Sequence, residues 1–322
     1  MDILTYSGQV SRAGYDMICN ELSKQASDSL ILVLNTPGGD PHAGFRIARA
    51  LHHHYGSFDV LLPGACKSAG TLICIGASQL WLDDQSELGP LDIQVKKKDE
   101  IVGQNSGLDI LQAVNYLQNQ AMAAFRTYLI ELTTQAALST RVASDIASKL
   151  TTGLFSPIFG QIDPMRLAEI QRATDIAFAY GSRLNEKSQN LRQQGLERLV
   201  VSYPSHGFVI DRKEAGTIFT KVSKPEGLLQ HLSRFFYASI AKNYTDETPT
   251  VTFLTLPDPR MQHQLPNQPD GEQNADVPDP TPGTRSDGGS DGENSANGEQ
   301  AAQLRAGALS LIASHQFGAQ DG

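Results

Sequence analysis

At 322 residues, 40% hydrophobic and 19% charged, the chain has an ordinary globular composition and is long enough for one large domain or two modest ones. A formal charge of −9 with no basic stripe argues against nucleic acid or an anionic membrane as partner, and no run approaches the roughly 20 apolar residues of a bilayer span. Cys19, Cys66 and Cys74 are too few for a disulfide framework and read as reduced thiols; without a basic-then-apolar leader the expected location is cytoplasmic.

Residues 2–5 read as a short strand, and residues 12–25 as an amphipathic helix with Tyr15, Ile18, Cys19 and Leu22 on one face. Leu30-Ile31-Leu32-Val33-Leu34 is too short and too uniformly apolar for a helix, but it suits a strand buried on both faces. Asn35-Thr36-Pro37-Gly38-Gly39-Asp40 breaks that run. Gly44, Ile47, Ala48, Leu51 and Tyr55 then mark one face of a helix that stops at Gly56. Residues 58–62 are a second apolar strand, followed by the small-residue turn Gly64-Ala65-Cys66-Lys67-Ser68-Ala69-Gly70-Thr71 and another apolar helix. The pattern is α/β, with both turns leaving the carboxyl ends of two parallel strands.

Residues 79–82 read as a third strand and residues 86–92 as a loop punctuated by Gly89-Pro90. Residues 108–150 read as a long helical tract with only small interruptions, 151–163 as loop-rich, and 164–183 as a helix begun by Asp163 and Pro164. A further helix is expected over 186–198, and a short strand over 207–210. Asp211 and Glu214 have the spacing of a capping box, and an amphipathic helix follows over 226–241. These elements give a domain over residues 1–245, mostly helical over 108–200. Residues 246–322 are the expected disordered tail, with a short helix near 301–313, because from about residue 257 Pro, Gly, Asp, Asn and Gln displace the apolar residues a core needs.

The two turns are where chemistry is expected. Glycines at 38 and 39 expose backbone N–H groups that no Cβ shields. Ser68, at the first turn of a helix, is either a nucleophile or an N-cap. As a nucleophile it would attack an acyl carbonyl whose oxyanion is held by backbone N–H groups around Gly38, Gly39 and Ala69. His52-His53-His54 splay by about 100° each on a helix and do not form a metal site. No dinucleotide or Walker motif occurs, so neither metal nor cofactor is expected.

The segments NTPGGD and GACKSAGTL, continued by SELGPLDIQ and YPSHGFVIDRKEA, resemble the serine dehydrogenase proteinase family of the Clp-protease/crotonase superfold, related to signal peptide peptidase A. The resemblance implies a spiral of ββα units with a long helical insertion, a serine peptidase acting on peptide or protein substrates without an ATPase module on this chain, and a homo-oligomer assembled through helices. It puts the nucleophile on Ser68 and the oxyanion glycine on Gly39. The general base is left among His206, with Asp211 as its orienter, Lys67, which as the neighbour of Ser68 on a helix start is expected to point away from it, and Lys149 by analogy with the lysine of signal peptide peptidase A. Asp92, a candidate polar member of the site, stands where the Clp pattern has its histidine. An inactive scaffold of the same fold and a crotonase-like acyl-thioester enzyme are the alternatives.

Overall fold

Strands that are apolar at every position need partners on both faces, and the chain supplies a helical layer for each. The computed structural model describes residues 1–91, 94–96, 104–240, 244–255, 299 and 302–311. The first part runs β1 (Asp2–Ser7), α1 (Arg12–Leu22), β2 (Leu30–Asn35), α2 (Pro41–Tyr55), β3 (Asp59–Leu62), β4 (Ala65–Cys66), α3 (Ala69–Ile75), β5 (Gln79–Leu82) and β6 (Glu87–Leu88). After β7 (Gln94–Lys96) and β8 (Gln104–Ser106) come α4 (Gly107–Thr134), α5 (Thr140–Phe159) and α6 (Pro164–Ser188). The remainder comprises α7 (Gly195–Glu197), a π-helical turn (Arg198–Ser202), α8 (Arg212–Ile218), β9 (Val222–Ser223), α9 (Leu228–Ile240) and β10 (Thr250–Thr255).

The main sheet has the order β10-β1-β2-β3-β5-β9, parallel throughout except for the antiparallel pair β10–β1. Alternate residues divide its two cores, as the two-residue side-chain period requires. Leu4, Tyr6, Leu32, Leu34, Val60 and Leu62 pack with Ile18 of α1, Ile47 and Leu51 of α2 and Leu72 of α3. Ile3, Ile31, Val33 and Leu61 face the other way and are covered by Leu232, Phe236 and Ile240 of α9. Leu304 and Ala308 of the helical residues 302–311 join this second core.

Beside the sheet runs a smaller ladder. Val10 bridges Gly39, Thr36 bridges Cys66, β4 pairs with β6, and Leu88 bridges Ile210. Each early strand is thus followed by a short paired stretch and then a helix, the ββα unit expected from the resemblance. This ladder brings the turns after β2 and β3 side by side.

Several boundaries differ from the sequence reading. The long helical tract over 108–150 is interrupted at 135–139, where Ala137 takes φ +49°. The expected loop over 151–163 is helical as far as Phe159. Pro157 stands in the last turn of α5. The helix expected over 186–198 is not continuous: residues 186–188 end α6 and 195–197 form α7, with the chain between them outside any helix. Gln189 takes φ +50°, and Asn190 donates through Nδ2 to the Ala77 carbonyl while its Oδ1 accepts from Thr220 and from the Lys221 N–H. Those bonds fix the backbone outside a helix. The domain does not end at residue 245, since β10 lies in register along all of β1. The tail expectation for 256–298 lies outside the described residues.

Candidate active site

Gly38 and Gly39 have φ of +104° and +140°, a region that side chains disfavour, which is why the turn after β2 carries two glycines. The Val10 N–H donates to the Gly38 carbonyl at 2.7 Å and the Asp40 N–H donates to the Val10 carbonyl at 2.8 Å. In such a parallel bridge the N–H of the middle residue, Gly39, is turned away from Val10. The Gly38 N–H donates to Thr36 Oγ1 at 3.1 Å. Asp40, the last residue of NTPGGD, caps α2 by accepting from the His42 N–H at 2.8 Å.

The second turn carries Ser68 at φ +50°, ψ −116°, outside the basins available to a residue with a Cβ. Such a conformation costs on the order of 1–3 kcal/mol and persists only where the surroundings impose it. Here the Lys67 N–H donates to the Thr36 carbonyl at 3.0 Å, the Ser68 N–H to the Pro90 carbonyl at 3.2 Å, and the Gly70 N–H to the Lys67 carbonyl at 2.9 Å. Thr71 Oγ1 also ties α3 to the Gly89 carbonyl at 2.7 Å. Although Ser68 occupies the N-cap position of α3, its side chain makes no capping bond. The cap reading of this serine therefore fails.

Gly38 and Ser68 are in direct contact. A Cβ built on Gly38 would lie 2.6 Å from Ser68 Cβ and 3.2 Å from Ser68 Oγ. Gly44, in α2, packs against Ala69, where a Cβ would come within 2.9 Å of the Ala69 carbonyl oxygen. Ser68, Gly38, Gly39 and Ala69 thus share one small region at the carboxyl edge of β2 and β3. Among the described residues, neither the Gly39 nor the Ala69 N–H is given to another protein group, whereas that of Gly38 is.

The candidate bases are more scattered. His206 is half-buried in the loop between the π-helical turn and α8. Asp211 is the N-cap of α8, its Oδ1 accepting from the Glu214 N–H at 2.7 Å. The capping box is only half formed, because Glu214 accepts from the Tyr203 hydroxyl at 2.8 Å instead of reaching back. Burial and that carboxylate push the Tyr203 hydroxyl well above its ordinary pKa. Lys149 is an exposed residue of α5, 75% accessible and paired with Asp145 at 2.8 Å, so nothing desolvates its amine as a lysine base requires. Asp92 lies outside the described residues. Lys67, the neighbour of Ser68, is turned elsewhere: its Nζ donates to the Phe208 carbonyl at 3.3 Å and pairs with Glu87 at 3.3 Å.

The three consecutive histidines do not converge, and His52 donates from Nδ1 to the Gly56 carbonyl while its ring sits edge-on to Phe58. Among the described residues no group of three potential metal ligands comes together, and no helix is long and apolar enough to cross a membrane.

Residues 22–160 match the family of ClpP-like SDH-type serine proteinases. The matched stretch contains both turns and Ser68 and stops short of His206 and Asp211. Over 139 residues the chain is 27% identical to an uncharacterized protein of Methanocaldococcus jannaschii, covering 39% of this chain and 45% of that protein. A second uncharacterized protein of the same organism is 39% identical over 64 residues, 20% of this chain and 22% of the other. The chain thus spans less than half the length of these curated relatives. A solved mutant of a membrane-bound stomatin-specific protease matches at 14% identity and a TM-score of 0.28, over 44% of this chain and 66% of that one.

Proposed function

We propose that this chain, whose residues 22–160 match the ClpP-like SDH-type serine proteinases, hydrolyses peptide bonds through an acyl-enzyme on Ser68. The observation that carries this reading is the strained backbone of Ser68, which is in direct contact with Gly38 and whose hydroxyl does not cap α3. Strain of this kind in a strand-to-helix turn is the mark of a nucleophile elbow.

In this reading Ser68 Oγ attacks the scissile carbonyl carbon and its proton passes to a neighbouring base. The carbonyl oxygen takes the negative charge and is held by the Gly39 and Ala69 N–H groups. Gly38, whose own N–H is committed to Thr36, contributes space for the hydroxyl instead of a donor. Collapse expels the amine, which takes the proton back from the base. Water then hydrolyses the Ser68 ester by the same route.

His206 is the base we favour. Its loop is fastened to the residue beside the nucleophile through the Phe208 carbonyl, and Lys149 lacks the desolvation the role needs. Asp211 is left with a structural part as the α8 cap. Replacing His206 with alanine is expected to lower turnover about 10²–10⁴-fold, the range of a positioned general base, with the melting temperature little changed. Turnover within twofold of wild type would remove His206 from the mechanism.

Labelling of the intact chain with a fluorophosphonate, followed by mass-spectrometric mapping of the adduct, tests the central claim. The adduct is expected on Ser68, and modification confined to other residues would overturn the reading.

The reading also includes self-association. Leu150, Leu154 and Ile158 are spaced four apart on α5 and are 50%, 54% and 40% accessible, an apolar stripe suited to a second copy. Sedimentation velocity at micromolar concentration is expected to give a mass above 34.8 kDa, and Leu154→Glu to shift the distribution toward monomer. A wild-type protein sedimenting only as monomer would refute the association.

A further inference from the structure

The side chain of Lys67 is only 13% accessible, yet it belongs to neither core and its amine does not face the nucleophile it adjoins. It leaves the serine turn over Gly89, where a Cβ would come within 3.2 Å of both Lys67 Cα and Cβ. This close passage explains why a glycine stands at the centre of SELGPL. The Nζ then reaches the Phe208 carbonyl, 141 residues away in sequence, and the Glu87 carboxylate.

The segment that Lys67 reaches is anchored at its ends. At one end Leu88 and Ile210 exchange backbone bonds of 3.0 and 2.8 Å. At the other, the Tyr203 hydroxyl donates to Glu214, and the Tyr203 ring packs 4.8 Å from that of Phe208. His206 lies between these anchors. Within the span the Phe208 N–H donates to the Ser205 carbonyl at 3.2 Å, and a general base must stay within about 3 Å of the proton it takes.

We infer that Lys67 is a positioning residue, clamping the loop that carries His206 against the turn that carries Ser68. The inference rests on the reading of Ser68 and His206 given above for its catalytic consequence, but the clamp itself is a property of the fold. Its ammonium donates the bond that a half-buried carbonyl would otherwise lack, and the loss of such a partner is felt locally.

The test compares the full chain with Lys67→Met, which keeps the stem but removes the donor, and Lys67→Arg, which keeps a donor. Amide hydrogen exchange over residues 204–209 is expected to quicken at least tenfold in Lys67→Met and to stay within threefold of wild type in Lys67→Arg. Peptide turnover is expected to fall at least tenfold in kcat with KM little changed. In the double variant with His206→Ala, little further loss should follow, as expected when two residues act through one step. Equal exchange in all three proteins, equal loss of protection in both variants, or losses that multiply independently in the double variant would overturn the inference. If the wild type showed no Ser68-dependent hydrolysis, the proposed reaction would fall, and the exchange comparison would still decide whether the clamp exists.

Discussion

Replacing Ser68 with alanine is expected to abolish peptide hydrolysis and fluorophosphonate labelling while leaving the fold intact. Removing the nucleophile of an acyl-enzyme mechanism costs up to about 10⁶-fold in turnover, with the residue of activity coming from oxyanion stabilisation and binding. Stability should barely change, because alanine keeps the Cβ and the serine side chain does not cap α3. Glycine at the same position makes a sharper test. A residue held at φ +50°, ψ −116° stores on the order of 1–3 kcal/mol that glycine does not. Part of that gain is offset by the larger entropy of a glycine in the unfolded chain. Ser68→Gly is therefore expected to be inactive yet at least as stable as wild type, with a melting temperature equal or up to about 4 °C higher. Activity lost together with several degrees of melting temperature in both variants would mean that Ser68 serves packing. Retained turnover in either variant would end the acyl-enzyme proposal outright.

The strands and turns that build this site were legible because each rests on a strong local signal. Residues 30–34 are apolar at every position and can be satisfied only inside a parallel sheet. Gly38-Gly39 and Gly56 stand where φ is positive. The smaller ladder was not legible: β4 and β6 have two residues each, too few for any periodicity to register. The break between α4 and α5 carries no Gly or Pro, and an alanine takes the positive φ there; its one local signal is Ser139, which caps α5 by accepting from the Val142 N–H. β10 is hidden for a different reason. Thr250–Thr255 has the β-branched and aromatic content of a strand, but it lies against the composition change that marks the tail, which masks it. At the site, the motif points to the serine, whereas what favours the proposed nucleophile over a cap is a backbone angle, which no residue pattern encodes. The general base was the least legible part. Its choice depends on how a loop some 140 residues downstream returns to the serine turn, and that return is made by a lysine side chain and one backbone bridge.

Gly39→Ala is the substitution expected to do most damage to fold and site together. A Cβ at this position would collide with the Val10 carbonyl oxygen and come within 3.0–3.1 Å of the Val10 backbone nitrogen and carbonyl carbon. Backbone cannot swing aside as a flexible side chain does, and φ +140° is itself denied to alanine. Relief requires Val10 and residue 39 to separate, which breaks the two bonds joining Val10 to Gly38 and Asp40. Asp40 caps α2, and α2 rests through Gly44 on Ala69, so the displacement reaches both proposed oxyanion donors. The expected cost is about 3 kcal/mol or more, seen as a fall in melting temperature of at least about 6 °C. Turnover of the folded fraction should drop at least about 10²-fold, as when one oxyanion donor is lost. Gly56→Ala supplies the contrast: φ is +71°, but nothing lies within 4 Å of the added carbon. At φ +71°, ψ −47° its cost should be on the order of 1–3 kcal/mol, that of a sparsely populated conformation alone, and turnover should be unaffected. Equal effects from the two substitutions would mean that the approach of Val10 to the glycine turn carries no particular weight, and the geometry proposed for the oxyanion site would lose its support.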